Sequence, residues 1–263
     1  MEGQHDSLLG LIECNFSNRI LGILLRKEIT HMEKSSYSQR PGEVTLKINP
    51  KEACLLVIDM QKGFGAPKGS FGRFDPEYPK TVQKVVPTIR AAIGYCHQVG
   101  IPVAYTKQTH VPEFFTAGLH AFVGRELLAI REAGVRICMK GTEDTDVLDE
   151  LKPTDKDYVF EKNKASSFYM TWLDLWLRYF HTRKVLITGC NTGYCIIHTV
   201  QDAFARDFDV IVVEDGVNDP VPYIHETVLE LIDRRFGRVL PWKDIQTVLS
   251  RFPEEVKIPG ANP

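Results

Sequence analysis

Short β-branched runs alternate with longer amphipathic runs through most of this chain, and this alternation restricts the fold more than any other feature. The pattern starts with ACLLVIDM at Ala53, continues through PKTVQKVVPTIRAAIGYCHQVG and IPVAYTKQT, and recurs at DYVFEK, KVLITGC and DVIVVED. Strands separated by helical segments form parallel sheets, because a parallel pair needs a long crossover. The sequence therefore predicts an α/β protein with a doubly wound, mainly parallel sheet and helices on both faces.

The strand cores support a three-layer arrangement. The runs LLVI, VLIT and VIVV are apolar at every position, as expected for strands that are covered by helices on both sides. In open sheets of this kind, ligands bind beyond the carboxyl ends of the strands. Residues that end or follow a predicted strand are therefore the first candidates for a functional site.

Composition restricts the class of partner. The 263 residues carry a formal net charge of −2 and are 43% hydrophobic, which favours an ordinary soluble protein over a disordered one or one that coats nucleic acid. The longest apolar runs, such as ILGILL at 20–25, are too short to span a bilayer. The acidic N-terminus is atypical of a signal peptide. We therefore expect no nucleic-acid partner and no membrane.

Six cysteines are spread along the chain without the close pairs of a zinc site or the density of a disulfide scaffold. Reduced thiols in the cytoplasm are the simplest interpretation. These cysteines are Cys14, Cys54, Cys96, Cys138, Cys190 and Cys195.

A change of composition at SSYSQRPGEV, Ser35 to Val44, predicts a linker. We assign residues 1–43 to an N-terminal extension with this linker, and 44–263 to the main domain. The segment RILGILLRKEITHMEK has apolar residues at roughly helical spacing, which fits a short helix packed on the core or on a partner, or a partly ordered tail.

Three chemically capable residues lie at or just past predicted strand ends: Asp59 after LLVI, Lys162 after DYVFE, and Cys195 shortly after VLITG. A carboxylate beside an apolar run is costly unless it has a partner, and a lysine supplies one. We expect the three side chains to meet in one cleft. Each of them alone has a structural explanation, and the combination is what points to catalysis.

Cys195 is predicted at the start of the helix YCIIHTVQDAFARDF, where free N–H groups and the helix dipole lower a thiol's pKa. Cys190 ends a strand, as a small buried hydrophobe does. A redox pair of Cys190 with Cys195 lacks the spacing of a dithiol motif. His198 lies one turn beyond Cys195 and raises the alternative of a Cys–His dyad, but neighbours on one helix rarely aim both side chains at one atom.

Four segments carry a family resemblance: LLVIDMQKGF, KNKASSF, GCNTGYC and TVQDAFARDFDVIVVEDGVND. They resemble the isochorismatase-like cysteine hydrolases, a superfamily that includes nicotinamidases, N-carbamoylsarcosine amidohydrolases, ureidoacrylate hydrolases and biuret hydrolases. The resemblance covers roughly Ala53 to Pro241. It implies an isochorismatase-like, Rossmann-type three-layer fold and, as partners, a small-molecule substrate and further copies of the chain in a dimer or tetramer.

The resemblance also implies which residues react. The family's aspartate follows its first strand, its lysine precedes a motif phenylalanine by six residues, and its cysteine follows a strand-ending glycine by six. Here these positions are Asp59, Lys162 before Phe168, and Cys195 after Gly189.

A cis peptide bond at Cys190–Asn191 is implied as well. It would turn the backbone N–H groups of Asn191 and Cys195 toward one point, as an oxyanion hole requires. Lys164 lies close by but falls out of register with the family's lysine.

Two departures narrow the reaction. Nicotinamidases in this superfamily carry a metal-binding D-W-H…H motif after the second strand, where this chain has Gln108 at the aspartate position and Phe114 near the second histidine. His110 alone cannot hold a metal, so we expect no metal and no cofactor. Members that hydrolyse the vinyl ether of isochorismate typically carry glycine at the nucleophile position, which is Cys195 here.

These departures favour the ureide and carbamoyl branch. The predicted function is a cysteine-dependent amidohydrolase that cleaves a C–N bond of a small ureide, carbamoyl or amide substrate through a thioester. A vinyl-ether hydrolase and a non-catalytic binding module on the same fold are the alternatives. Candidate substrate contacts are Phe64, Phe71, Gln108, Phe168 and Tyr194.

Overall fold

The computed structural model describes residues 43–113, 116 and 124–259. The strands in these ranges are β1 (Glu43–Leu46), β2 (Ala53–Ile58), β3 (Val103–Gln108), β4 (Tyr158–Lys162), β5 (Lys184–Cys190), β6 (Asp209–Asn218), β7 (Gly237–Leu240) and β8 (Val256–Pro259). The α-helices are α1 (Lys62–Gly65), α2 (Ser70–Phe74), α3 (Tyr78–Gln83), α4 (Val86–Val99), α5 (Arg125–Glu132), α6 (Leu173–Tyr179), α7 (Ile197–Phe204), α8 (Pro222–Arg235) and α9 (Trp242–Ser250).

Six strands form one parallel sheet in the order β4-β3-β2-β5-β6-β7. The chain winds outward from β2 to β4 and then in the other direction from β5 to β7, so the winding reverses between the central strands β2 and β5. This reversal is where ligands bind in open α/β sheets. The prediction of a doubly wound parallel α/β sheet is confirmed.

Helices cover both faces of the sheet, which explains why every residue of β2 is buried. On one face α4 meets α9, where the rings of Tyr95 and Trp242 lie 5.8 Å apart. On the other face α6, α7 and α8 contribute Leu177, Val200 and Ile232 to the main hydrophobic core. The core therefore holds the strand ends in fixed positions.

Some elements were not predicted. The edge strand β7 and the separate two-stranded sheet of β1 with β8 have four residues each, too few for a clear periodicity. The predicted N-terminal helix and most of the linker lie outside the described residues. The domain assignments 1–43 and 44–263 stay predictions. Within the described ranges, no helix has the length and apolar character needed to cross a bilayer.

Candidate active site

The carboxyl ends of four adjacent strands position the candidate site. Asp59 follows β2, Lys162 ends β4, and Cys195 lies in the turn after β5. Between β4 and β2 runs β3, whose last residue, Gln108, pairs in register with Lys162. In a parallel sheet the carboxyl ends of all strands lie on the same side, so residues far apart in the sequence meet there.

The three predicted catalytic side chains are in contact. Lys162 Nζ lies 2.7 Å from Asp59 Oδ2 and 3.4 Å from Cys195 Sγ. Both members of the ion pair have fully buried side chains, and Cys195 is 5% exposed. The Asp59–Lys162 contact is an ion pair in which the ammonium also hydrogen-bonds the carboxylate. A carboxylate has further lone pairs, so Asp59 can also accept a proton.

Two neutral oxygens complete the surroundings of Lys162. Its Nζ donates to Gln108 Oε1 at 3.0 Å and to the carbonyl of Lys164 at 3.0 Å. On the far side of the ion pair, Thr106 Oγ1 donates to Asp59 Oδ1 at 2.9 Å. Thr106 was not predicted, although the two-residue period of β3 places it on the same side of the strand as Gln108.

Charge and burial set the protonation states. Burial disfavours the Lys162 ammonium, but Asp59 and the Cys195 sulfur raise its pKa above the ordinary value. Burial raises the pKa of the Cys195 thiol to about 12; Lys162 opposes this rise and Asp59 adds to it. The predicted lowering of this pKa by a helix start is wrong, because loss of hydration outweighs the dipole in a buried site. At neutral pH the thiol therefore holds its proton.

The turn that carries Cys195 is a π-helical turn, Thr192–Ile196, and α7 begins only at Ile197. The Cys190–Asn191 peptide bond is cis. The Gly193 N–H donates to Asp219 Oδ2 at 2.8 Å, and Thr199 Oγ1 donates to the carbonyl of Cys195 at 2.7 Å. These bonds fix the turn from both ends.

An aromatic stack supports Asn191. The Tyr78 hydroxyl donates to Asn191 Oδ1 at 2.7 Å. The Tyr78 ring stacks on Phe71 at 4.3 Å, and Phe71 lies 5.1 Å from Phe64. The predicted substrate contacts Phe64 and Phe71 thus belong to a buried wall that ends at the nucleophile turn. The residue that links this wall to Asn191, Tyr78, lies in a segment without periodicity and was not predicted.

The other predicted substrate contacts lie in different surroundings. Gln108 is buried beside Lys162. Phe168 packs into the hydrophobic core, where its ring lies 6.1 Å from Phe208 and 4.9 Å from the Arg206 guanidinium carbon. Tyr194 is 43% exposed and sits in the nucleophile turn. Contact of these residues with a substrate stays a prediction.

The alternative residues for the chemistry are engaged elsewhere. Cys190 is buried, and its Sγ donates to the carbonyl of Asp59 at 3.3 Å. Burial, with the Asp59 charge, raises the pKa of this thiol. His198 is exposed, and its Nδ1 lies 2.7 Å from the carbonyl of Tyr194. Neither arrangement favours the Cys–His dyad or the dithiol pair.

A cavity of about 240 Å³ borders Lys162. It is lined by Lys162 and by neighbours from three segments, among them Thr109, Lys140, Glu161 and Tyr169. This volume suits a ligand smaller than a drug molecule. Among the described residues, no three or more histidine, cysteine, aspartate and glutamate side chains are grouped so that they could hold a metal ion. Phe114 lies outside those residues.

The fold and the site define an α/β protein that gathers a carboxylate, an ammonium and a thiol in one buried cluster at the switch point of a parallel sheet. The Isochorismatase domain matches residues 53–244, so the chain belongs to the isochorismatase family, and the resemblance seen in the sequence is confirmed. It is a hydrolase.

Several relatives are named as amidohydrolases or amidases. The ureidoacrylate amidohydrolase RutB of Methylobacterium radiotolerans is 28% identical over 84% of this chain and 89% of its own length. The crystal structure of N-carbamoylsarcosine amidase from Thermoplasma acidophilum is 31% identical, with a TM-score of 0.58, over 73% of this chain and 96% of that one. A cysteine hydrolase from Pseudomonas syringae pv. phaseolicola shares the fold at a TM-score of 0.67 and 22% identity, over 81% of this chain and 98% of that one.

Proposed function

We propose that this chain is a cysteine-dependent amidohydrolase that cleaves a C–N bond of a small ureide, carbamoyl or amide substrate through a thioester acyl-enzyme. The observation that carries the proposal is the buried contact of Lys162 with both Asp59 and Cys195, at 2.7 Å and 3.4 Å. A base, a cation and a nucleophile are thus within reach of one another. The amidohydrolase and amidase relatives support the same reaction class.

A count of protons explains how the cation works. An ammonium has three N–H groups. Lys162 Nζ has four neighbours that can accept a hydrogen bond: Asp59, Cys195, Gln108 Oε1 and the carbonyl of Lys164. The two neutral oxygens occupy two N–H groups at all times. The third N–H faces Asp59 while Asp59 is charged and turns toward the sulfur when the charge moves there. Lys162 therefore stabilises either charge state without leaving its place.

The reaction then proceeds in balanced steps. Asp59 takes the thiol proton as Cys195 Sγ attacks the substrate carbonyl, and the backbone N–H groups of Asn191 and Cys195 hold the developing oxyanion. The tetrahedral intermediate collapses, the C–N bond breaks, and the leaving nitrogen takes the proton from Asp59. Water then gives a proton to Asp59 and adds to the thioester carbonyl; the C–S bond breaks, the acid product leaves, and Asp59 returns the proton to the Cys195 sulfur.

Substrate size and shape follow from the surroundings. We place a small planar ureide with its carbonyl at the nucleophile turn and its leaving nitrogen near Asp59; the cavity of about 240 Å³ that borders Lys162 indicates the scale of the open space nearby. Phe64, Phe71, Phe168 and Tyr194 are proposed as substrate contacts. Gln108 is proposed as a further contact. Its Nε2 has two N–H groups, one of which faces His110, and the second would donate to the substrate.

A vinyl-ether hydrolase would need fewer of the three clustered groups than an amidohydrolase. Hydrolysis of isochorismate needs an acid that protonates the vinyl carbon, and it leaves Cys195 without a role. A binding module on this fold has no need for a buried ion pair beside a thiol, and burying such a pair carries a large desolvation cost. The amidohydrolase reaction uses all three groups.

The deciding experiment is a panel of ureides, carbamoyl compounds and small amides, with isochorismate as a comparison. We expect release of ammonia or carbamate from one or more panel members, a covalent adduct on Cys195 by mass spectrometry, and no pyruvate from isochorismate. Pyruvate production that survives Cys195→Ala would overturn the proposal in favour of the ether hydrolase. An intact, folded protein with no turnover and no adduct would favour the binding module.

Two broader proposals concern the setting of the enzyme. We propose that it is cytoplasmic, which is supported by the free and buried state of Cys54, Cys96, Cys138, Cys190 and Cys195. We also propose that it forms a homo-oligomer, as the family resemblance implies. Light scattering on the purified full chain measures the second directly.

A further inference from the structure

A chain of polar side chains leads away from Lys162 to residues that the reaction does not use. Gln108 Oε1 accepts from Lys162 Nζ at 3.0 Å, and Gln108 Nε2 lies 2.8 Å from His110 Nε2. The other ring nitrogen of His110, Nδ1, lies 3.1 Å from Thr116 Oγ1. Gln108 and His110 are both buried. Gln108 thus links His110 to the reacting groups.

Chemistry fixes the direction of every bond in this chain. An ammonium can only donate, so Gln108 must turn its oxygen toward Lys162 and its NH₂ toward His110. His110 Nε2 must then be an acceptor, which places the ring proton on Nδ1. This proton points at Thr116 Oγ1. A Gln108 amide turned the other way would aim two N–H groups at the Lys162 ammonium.

The surroundings of His110 keep that acceptor available. Burial, followed by the charges of Lys164 and Lys162, lowers the pKa of His110 to about 4. The ring is therefore neutral at neutral pH. Gln108 itself is held in place through its backbone, because Gln61 Oε1 accepts from its N–H at 2.6 Å and Gln61 Nε2 donates to its carbonyl at 2.9 Å. Only the amide of Gln108 is left to rotate.

We propose that His110 is a positioning residue: its bare Nε2 fixes the amide of Gln108 with the oxygen toward Lys162, and so keeps the ammonium between Asp59 and Cys195. The expected effect on kcat rests on the proposed function. The expected effect on the reactivity of the Cys195 thiol rests only on the contacts described above. It gives a role to a histidine that, without further ligands, cannot hold a metal.

Two substitutions of His110 distinguish a role in positioning Gln108 from a role in stability alone. Glutamine at position 110 keeps an acceptor near the position of Nε2 and loses the bond to Thr116. Asparagine keeps a polar group near Nδ1 and loses the acceptor for Gln108. Each change removes one of the two ring contacts described above, so we expect the two variants to have similar stability. They should differ in chemistry.

The measurements are the alkylation rate of Cys195 by iodoacetamide without substrate, kcat and KM on an active ureide, and the melting temperature. We expect His110→Asn to have alkylation and kcat about tenfold lower than His110→Gln, because Gln108 Oε1 is then no longer held toward the Lys162 ammonium and its bond to this charged group is weakened, with a similar melting temperature. The matched pair His97→Asn and His97→Gln, at a site that pairs with Asp157, should show no such difference.

Equal rates in the two variants, or a slower His110→Gln, would overturn the inference. If no ureide is turned over but the alkylation difference persists, the inference stands and the proposed function falls. If ureides are hydrolysed and the variants match in both assays, the function stands and the inference falls. Should a variant not fold, NMR of the ring nitrogens in the unaltered protein decides: a proton on Nδ1 supports the inference, and a proton on Nε2 overturns it.

Discussion

Replacing Asp59 by asparagine separates two effects that usually change together, because it should stop turnover and yet make the thiol more reactive. Asp59 has a φ of 53°, in the left-handed region that asparagine tolerates better than most residues. The substitution therefore removes a charge and a base with little backbone cost. Without the base, no group in the cluster takes the thiol proton or returns it to the leaving nitrogen, so we expect no turnover.

The thiol responds in the opposite direction because of charge balance. With Asp59 charged and Cys195 protonated, the buried cluster is neutral; in Asp59→Asn it carries one positive charge until Cys195 ionises. At the 3.4 Å separation of Nζ and Sγ, an effective dielectric constant of about 20 gives an attraction of about 5 kcal/mol. Asp59 competes for the same ammonium. A loss of Asp59 that frees about half of this attraction, about 2.5 kcal/mol, raises the thiolate fraction at pH 8 by about seventyfold.

The assay is iodoacetamide alkylation of Cys195 at pH 8, followed by mass spectrometry, beside the rate of ammonia release. Asp157→Asn is the matched control, since Asp157 also has a buried side chain and a close polar partner, His97 Nε2 at 2.7 Å. It should change neither rate. An Asp59→Asn protein that alkylates more slowly than the unaltered protein would refute the charge argument, and one that keeps its turnover would refute the assignment of the base.

Three further predictions test the turn and the chemistry. Cys195→Ala should abolish turnover in a folded protein while Cys190→Ala keeps measurable activity, and the reverse result would show that the nucleophile is misassigned. Dialysis against a chelator should leave kcat unchanged, and a loss that zinc, iron or manganese restores would contradict the metal-free reaction. Gly193→Ala should lower the unfolding free energy by about 1–3 kcal/mol, because the new Cβ would overlap Ile224 Cγ2. Gly94→Ala, where no atom lies within 4 Å of the new Cβ, is its control in denaturant unfolding, and equal stability of the two variants would speak against the crowding.

The sheet and the central cluster could be predicted from the sequence because both depend on periodicity. Apolar runs locate the parallel strands, and parallel strands bring Asp59, Lys162 and Cys195 to one edge. The polar surroundings have no such signal. Gln61 and His110 are placed by the paths of loops and by hydrogen bonds between distant segments, which leave no period in the sequence.

The thiol pKa shows a second limit of sequence reasoning. Proximity to a helix start is visible in the sequence, and it predicts a lower pKa for Cys195. Burial depends on what packs above the turn, including Phe168 and Leu173 in the same core. Because desolvation is the larger effect, a correct local signal led to the wrong direction.

The order of the strands in the sheet has a consequence for how the protein is made. Asp59 and Lys162 follow β2 and β4, which are synthesised early, but β2 lies beside β5 in the sheet, and the turn after β5 carries the sulfur. A chain that ends before β5 lacks both the neighbour of β2 on that side and the turn that carries Cys195. The cluster is therefore complete only after β5 has paired with β2.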